Sequence, residues 1–143
     1  MSDTTVTRRF AAAAGAMSIL AAYAPKAHAQ EPKGMIYPVS FPSGSIELHL
    51  ADHETIRAVA SKMAQNPNLT AMVLGKADTV GSDEYNDHLS WKRASVVFED
   101  LVFNNKVPAT RVHMHWTGEK MLTVPTGDNA PDLLNRVVEI ILE

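Results

Sequence analysis

The sequence contains no cysteine among its 143 residues. We therefore expect no disulfide, no thiolate zinc site, no cysteine nucleophile and no lipid anchor attached through cysteine. No run of about 18 uncharged apolar residues is present either, which argues against a permanent transmembrane helix. Stability must then come from one packed hydrophobic core, which a chain of this length can supply.

Basic residues are in the minority, with 13 Lys and Arg against 16 Asp and Glu and a formal net charge of −3. A chain of this charge is a poor electrostatic partner for nucleic acid or for anionic lipid. Hydrophobic residues make up 45% and charged residues 20%, which is typical of a globular protein rather than a disordered one. The length has room for a single domain.

The first thirty residues differ from the rest of the chain. Arg8 and Arg9 precede an alanine-rich, weakly apolar stretch over residues 10–24, and the small residues Ala27 and Ala29 follow. This layout is typical of a secretory signal peptide with cleavage after Ala29. The paired arginines resemble a twin-arginine signal, although the general secretory route stays open. We predict a signal peptide over 1–29, a lead-in over 30–38 and one domain over 39–143.

Apolar residues in the remaining chain recur with the periods of strands and helices. The predicted strands are Met35 to Phe41, Leu69 to Leu74, Arg111 to Trp116 and Val137 to Leu142. One helix is predicted from Asp52 to Asn66, and a second begins at Ser90 after a short helical turn capped by Ser82 or Asp83. Alternating strands and helices predict an α/β two-layer sandwich, in which a mixed sheet of about four strands carries two main helices on one face.

The densest pattern lies in residues 74–96. It is a Gly-x-x-Asp-x-x-Gly-Ser loop followed by Asn, Leu-Ser and Arg-Ala, here Gly75, Asp78, Gly81-Ser82, Asn86, Leu89-Ser90 and Arg93-Ala94. This pattern resembles the signature of the OmpA-like peptidoglycan-binding domain, which is found at the C termini of OmpA and MotB and in Pal-like lipoproteins. Gly118-Glu119 and the closing Asn135-Arg136-x-Val138-Glu139 extend the resemblance, which covers residues 39–142 and implies the order β-α-β-α-β-β.

The resemblance implies a binding module without catalytic groups or a cofactor. In that family the loop aspartate and the Arg-Ala arginine hold the diaminopimelate of the peptidoglycan peptide stem, roles that correspond here to Asp78 and Arg93. Asn86 and Leu89 correspond to residues of the pocket wall, and Ala77 stands beside the aspartate. The implied location is the periplasm, in association with the cell wall or the outer membrane.

The chemistry of Asp78 and Arg93 suits this ligand. Diaminopimelate ends in an amine and a carboxylate on one carbon, so that an aspartate can accept from the ammonium and an arginine can present a bidentate fork to the carboxylate. With Ser90 as the helix N-cap, Arg93 would also lie beside free backbone amides, which favour an anion. The alternative is that Asp78 and Arg93 form a structural salt bridge with each other.

Two other functions stay open. The first is a protein-interaction domain of an envelope complex with weakened glycan binding, because Lys76 and Val137 replace the residues that the family usually has. The second is a small cell-wall hydrolase or a metal-binding enzyme. For the latter, the sequence offers only the histidine pairs His49/His53 and His113/His115, whereas a zinc or copper site needs three or four convergent ligands.

Overall fold

The computed structural model describes residues 34–143, so the predicted signal peptide and residues 30–33 of the lead-in lie outside the described residues. The strands are β1 (Met35–Ser40), β2 (Ala71–Gly75), β3 (Val112–Trp116) and β4 (Val137–Leu142), and the α-helices are α1 (Leu50–Gln65) and α2 (Asp83–Glu99). None of the helices in this range is both long enough and apolar enough to cross a membrane.

The four strands form one mixed sheet in the order β1-β4-β2-β3. Strand β4 runs antiparallel to both of its neighbours, and β2 runs parallel to β3. Because β4 is central, its side chains are covered on both faces, and Val138, Ile140 and Ile141 are at most 1% exposed. Five of its six residues are apolar, as expected of a strand that is buried on both faces. The predicted α/β sandwich with a four-stranded mixed sheet and two helices is confirmed.

Helix α1 buries against the sheet the face that the spacing of its apolar residues predicts. Ile56, Val59 and Met63 are fully buried and join the core on the sheet, and each such side chain contributes about 1.5–3 kcal/mol relative to an exposed one. The helix begins at Leu50 rather than at Asp52. Asp52 lies inside the first turn, where its carboxylate accepts a hydrogen bond from the backbone N–H of the N-cap residue His49 at 2.8 Å.

Helix α2 is continuous from Asp83 to Glu99, so the predicted helix start at Ser90 is wrong. Ser82 is the N-cap and accepts from the backbone N–H of Tyr85 at 3.1 Å. Ser90 lies inside the helix because its hydroxyl is satisfied there: it donates to the carbonyl of Asp87 and accepts from the backbone N–H of Gly118, both at 2.8 Å. Arg93 therefore lies far from the helix N-terminus, and free amides do not surround it.

Close contact between α2 and β2 sets the position of the loop that follows β2. A Cβ atom on Gly75 would lie 2.1 Å from the carbonyl oxygen of Ser90, so a larger residue at this position would force the helix away from the strand. The chain then leaves β2 directly beneath the middle of α2. This places residues 76–82 between the helix and the end of the sheet.

Candidate functional site

Asp78 lies in the loop after β2 and is 5% exposed. Its Oδ2 atom is 3.0 Å from Nη1 of Arg136, and the same oxygen accepts from the backbone N–H of Asp132 at 3.4 Å. Its Oδ1 atom accepts from the backbone N–H of Val80 at 3.2 Å. The ion-pair partner of Asp78 within residues 34–143 is thus Arg136. The alternative of a direct structural salt bridge between Asp78 and Arg93 is wrong.

Arg93 is the largest fully buried side chain in the described range. Its guanidinium donates to three carbonyl oxygens, from Nε to Ser45 at 3.0 Å, from Nη1 to Lys76 at 3.3 Å and from Nη2 to Pro42 at 3.2 Å. It also lies over the ring of Phe41, with 5.3 Å between Cζ and the ring centroid. The side chain thereby joins α2 to the loop after β1 and the loop after β2.

The charge of Arg93 survives this burial. Loss of solvent lowers the pKa of Arg93 to about 10, while nearby Asp78 raises it and Arg136 lowers it. The group therefore stays protonated at neutral pH. One carboxylate and two guanidiniums share this cluster, so that it carries a net positive charge. A guanidinium has five N–H groups, of which the three carbonyls use only three.

Arg136 is the residue of this cluster that sequence reasoning left out of the site. Its position in the closing Asn-Arg motif was the available signal, but which acidic residue it pairs with depends on the fold. Besides its bond to Asp78, its Nε donates to the carbonyl of Phe41 at 3.1 Å. Arg136 thereby connects the start of β4 to the end of β1 and orients the Asp78 carboxylate.

The other predicted site residues line the same region. Ala77 is fully buried, and its backbone N–H donates to the carbonyl of Gly118 at 2.8 Å. Leu89, 8% exposed, lines a small cavity on the outer side of α2. Asn86 is fully buried, with Nδ2 at 3.5 Å from Oε1 of Glu119, and its Oδ1 has no hydrogen-bond partner within residues 34–143.

Lys76 does not compete for Asp78. Its ammonium lies 2.6 Å from Oε1 of Glu139 and 3.3 Å from the hydroxyl of Thr123. Val137 is buried in β4, so the guanidinium at the closing motif comes from Arg136 alone. The departures at 76 and 137 therefore leave the Asp78–Arg136 pair intact.

The loop between β3 and β4 is hydrogen-bonded to the loop that carries Asp78. The hydroxyl of Thr79 donates to the carbonyl of Gly127 at 2.6 Å, and the Thr79 carbonyl accepts from the backbone of Asn129 at 2.9 Å. The buried Asn135 side chain bonds both backbone groups of Val124 at 2.8 Å. These bonds hold the segment before Arg136 against the loop that carries Asp78.

Glu119 lies beside Asn86 in a group of acidic side chains. Partial burial raises the pKa of the Glu119 carboxyl, its hydrogen bond with Asp83 raises it further, and the bond from Asn86 lowers it. A carboxyl whose pKa is higher in the folded state binds a proton more tightly there than in the unfolded chain. Its contribution to stability is present below the unfolded pKa and is lost as pH rises through the folded pKa.

We expect Glu119→Gln to flatten the pH dependence of stability as pH rises above about 4, the ordinary range of a glutamate carboxyl. The glutamine amide can donate to Asp83 and accept from Asn86 without binding a proton. The stability of the variant relative to the wild type therefore increases as pH rises. Urea unfolding at several pH values measures the difference, with the exposed Glu47→Gln as the matched control. Parallel pH curves for wild type and Glu119→Gln would contradict the assignment.

The histidines within residues 34–143 form no contact with Asp78, Arg93 or Arg136 among the hydrogen bonds and ion pairs of that range. Nδ1 of His53 is 2.9 Å from the carboxylate of Asp100, and His113 and His115 are exposed on β3. The ring of His88 stacks on Trp91 with 5.5 Å between centroids. In the part of the chain that the structure describes, no three His, Asp or Glu side chains are arranged to hold a metal ion.

Comparison with known sequences places the fold and the charge cluster in one protein family. The profile of the OmpA family matches residues 40–135. The chain is 37% identical over 91 residues to outer membrane porin F of Pseudomonas aeruginosa, covering 62% of this chain and 25% of that protein. It is 28% identical over 87 residues to the putative lipoprotein YfiB of Escherichia coli, covering 61% and 54%. The chain thus matches about half or less of the length of these relatives.

Solved structures share the fold at lower identity. The peptidoglycan-associated lipoprotein of Burkholderia pseudomallei superposes with a TM-score of 0.68 at 22% identity, over 74% of this chain and 89% of that one. The C-terminal domain of Helicobacter pylori MotB gives 0.60 at 21% identity, over 75% and 84%. At these sequence identities, the structural similarity shows a shared fold and nothing further.

Proposed function

Because this chain belongs to the OmpA family, we propose that it binds peptidoglycan non-covalently, by holding the diaminopimelate of the peptide stem at Asp78 and Arg93. The observation that supports this most is the charge cluster itself. A carboxylate that is 5% exposed and a fully buried guanidinium lie in one charge cluster. Burying a charge costs free energy, and a ligand that carries charges of both signs would offset part of that cost.

The cluster suits a ligand end that carries both an amine and a carboxylate. Asp78 can accept from the ammonium, and its bond to Arg136 keeps the carboxylate in a fixed orientation. The net positive charge of the cluster attracts the ligand carboxylate. This carboxylate can accept hydrogen bonds from the Arg93 N–H groups that bond no carbonyl. Arg93 reaches the ligand after a small movement of the loop that carries Pro42 and Ser45, whose carbonyls it now bonds.

We propose further that the domain acts in the periplasm after export, associated with the cell wall or the outer membrane. The leader pattern of residues 1–29 supports export. Two relatives are named as an outer membrane porin and a putative lipoprotein, which agrees with a place in the envelope. The signature of residues 74–96 resembles that of a binding module without catalytic groups, so we propose binding rather than catalysis.

Competition on isolated sacculi tests the proposal. We expect the purified protein to sediment with diaminopimelate-type sacculi and to be displaced by the tripeptide L-Ala-γ-D-Glu-meso-diaminopimelate. The matched control is the same tripeptide ending in L-lysine, whose side chain carries the amine without the carboxylate, and this should displace far less. Equal displacement by the two peptides, or no sedimentation with sacculi, would contradict the proposal and favour a protein-interaction domain.

A further inference from the structure

The small cavity that Leu89 lines, of about 130 Å³, adjoins the proposed site on the outer side of α2. The loop between β1 and α1 forms one wall and the helix forms the other. Its lining residues are Gly44, Ile46, Tyr85, His88, Leu89 and Lys92. Nothing in the proposed grip on diaminopimelate uses this cavity, apart from the shared wall residue Leu89.

The cavity and the charge cluster are neighbours through two elements. Ser45, which lies between the lining residues Gly44 and Ile46, accepts the hydrogen bond from Nε of Arg93 at 3.0 Å. On the helix, Leu89 precedes Arg93 by four residues and therefore lies on the same side, one turn away. A ligand that reaches Arg93 from solvent can thus extend along α2 into the cavity.

The lining combines one cation with apolar walls. Lys92 is exposed, and no carboxylate pairs with it within residues 34–143. Tyr85 and Ile46 are 51% and 38% exposed, which leaves apolar surface at the mouth. The His88 ring is held against Trp91 at an interplanar angle of 23°. This combination suits a small group that has a carboxylate beside a short apolar segment.

We propose that this cavity is a subsite for the residue that precedes diaminopimelate in the peptide stem, an inference that rests on the proposed function. That residue is a glutamate linked through its γ-carboxyl, so its α-carboxylate is free. Lys92 binds this carboxylate, and Leu89 and Ile46 contact the methyl group of the alanine before it. The subsite therefore distinguishes stems with a free α-carboxylate from stems in which this group is amidated.

Calorimetric titration of the full chain tests the subsite with two tripeptides, L-Ala-γ-D-Glu-meso-diaminopimelate and its α-amidated form. We expect amidation to weaken binding to the wild type by about three- to fivefold, as for a solvent-accessible ion pair. Lys92→Ala should bind both peptides with the weaker affinity. Lys62→Ala, at an exposed lysine of α1, is the matched control and should keep the wild-type preference.

The outcomes separate the two proposals. An equal amidation penalty in Lys92→Ala and wild type overturns the subsite, as does the absence of any penalty in a wild type that still needs Asp78 for binding. If the wild type binds neither tripeptide, the proposed function fails and the subsite falls with it. A penalty that Lys92→Ala removes and Lys62→Ala retains supports the subsite.

Discussion

Replacing Arg93 with methionine is expected to lower the free energy of unfolding by about 3–5 kcal/mol. The loss arises because the carbonyls of Pro42, Ser45 and Lys76 all accept hydrogen bonds from this one guanidinium. Methionine fills much of the volume but supplies no donor, so these acceptors stay buried and unpaired. Asp78 also loses a nearby positive charge. Urea unfolding followed by circular dichroism measures the change.

Two further variants make the result specific. Arg57→Met removes an exposed arginine from α1 and should change stability by less than about 0.5 kcal/mol. Arg93→Lys keeps a charge but lacks the planar fork, so it cannot reach three acceptors in three directions. We expect it to fall between wild type and Arg93→Met in stability and to bind the diaminopimelate tripeptide more weakly per folded molecule. A methionine variant as stable as Arg57→Met would contradict the structural role of Arg93.

Asp78→Asn is expected to reduce affinity for the diaminopimelate tripeptide by about 100-fold. The amide keeps the shape of the side chain and can still accept from the backbone of Val80. It loses the negative charge that attracts the ligand ammonium and that pairs with Arg136. Stability should fall by only about 1–2 kcal/mol, so the variant stays folded and its binding can be measured directly by calorimetry.

Asp87→Asn provides the matched comparison, because Asp87 is exposed on α2, outside the charge cluster. This variant should bind as the wild type does. If Asp78→Asn binds within twofold of wild type while folded, the ammonium is held elsewhere and the site assignment is wrong. If both variants weaken binding equally, the effect reflects the overall charge of the protein instead of a specific contact.

Much of the fold could be predicted from the sequence because its signals are local. The four strands lie close to the predicted segments, and Ile56, Val59 and Met63 form the inward face of α1 at helical spacing. The prediction of Asp78 and Arg93 as a pair in one site came from the spacing of a family signature. The structure brings both into one charge cluster, and their role toward a ligand stays a proposal.

The parts that failed depend on contacts between segments distant in sequence. Ser90 has the character of a helix cap, but its hydroxyl bonds Gly118, which lies 28 residues away. The partner of Asp78 is Arg136, 58 residues away, rather than an arginine of the same motif. The ion pair of Lys76 with Glu139 likewise joins the residue after β2 to β4, which is its neighbour in the sheet but not in the sequence. Sequence spacing within one motif carries no information about such pairs.

The central position of β4 has a consequence for how the chain folds. Its bonds to β1 join segments far apart in sequence, as Arg136 and Phe41 are separated by 95 residues. Closing so long a loop costs entropy before the pairing returns any stabilisation, which slows folding. A chain whose synthesis has not reached residue 137 leaves an edge of β1 and an edge of β2 unpaired. The sheet is therefore completed only after residues 137–142 have been made, and until then the core that β4 closes stays open.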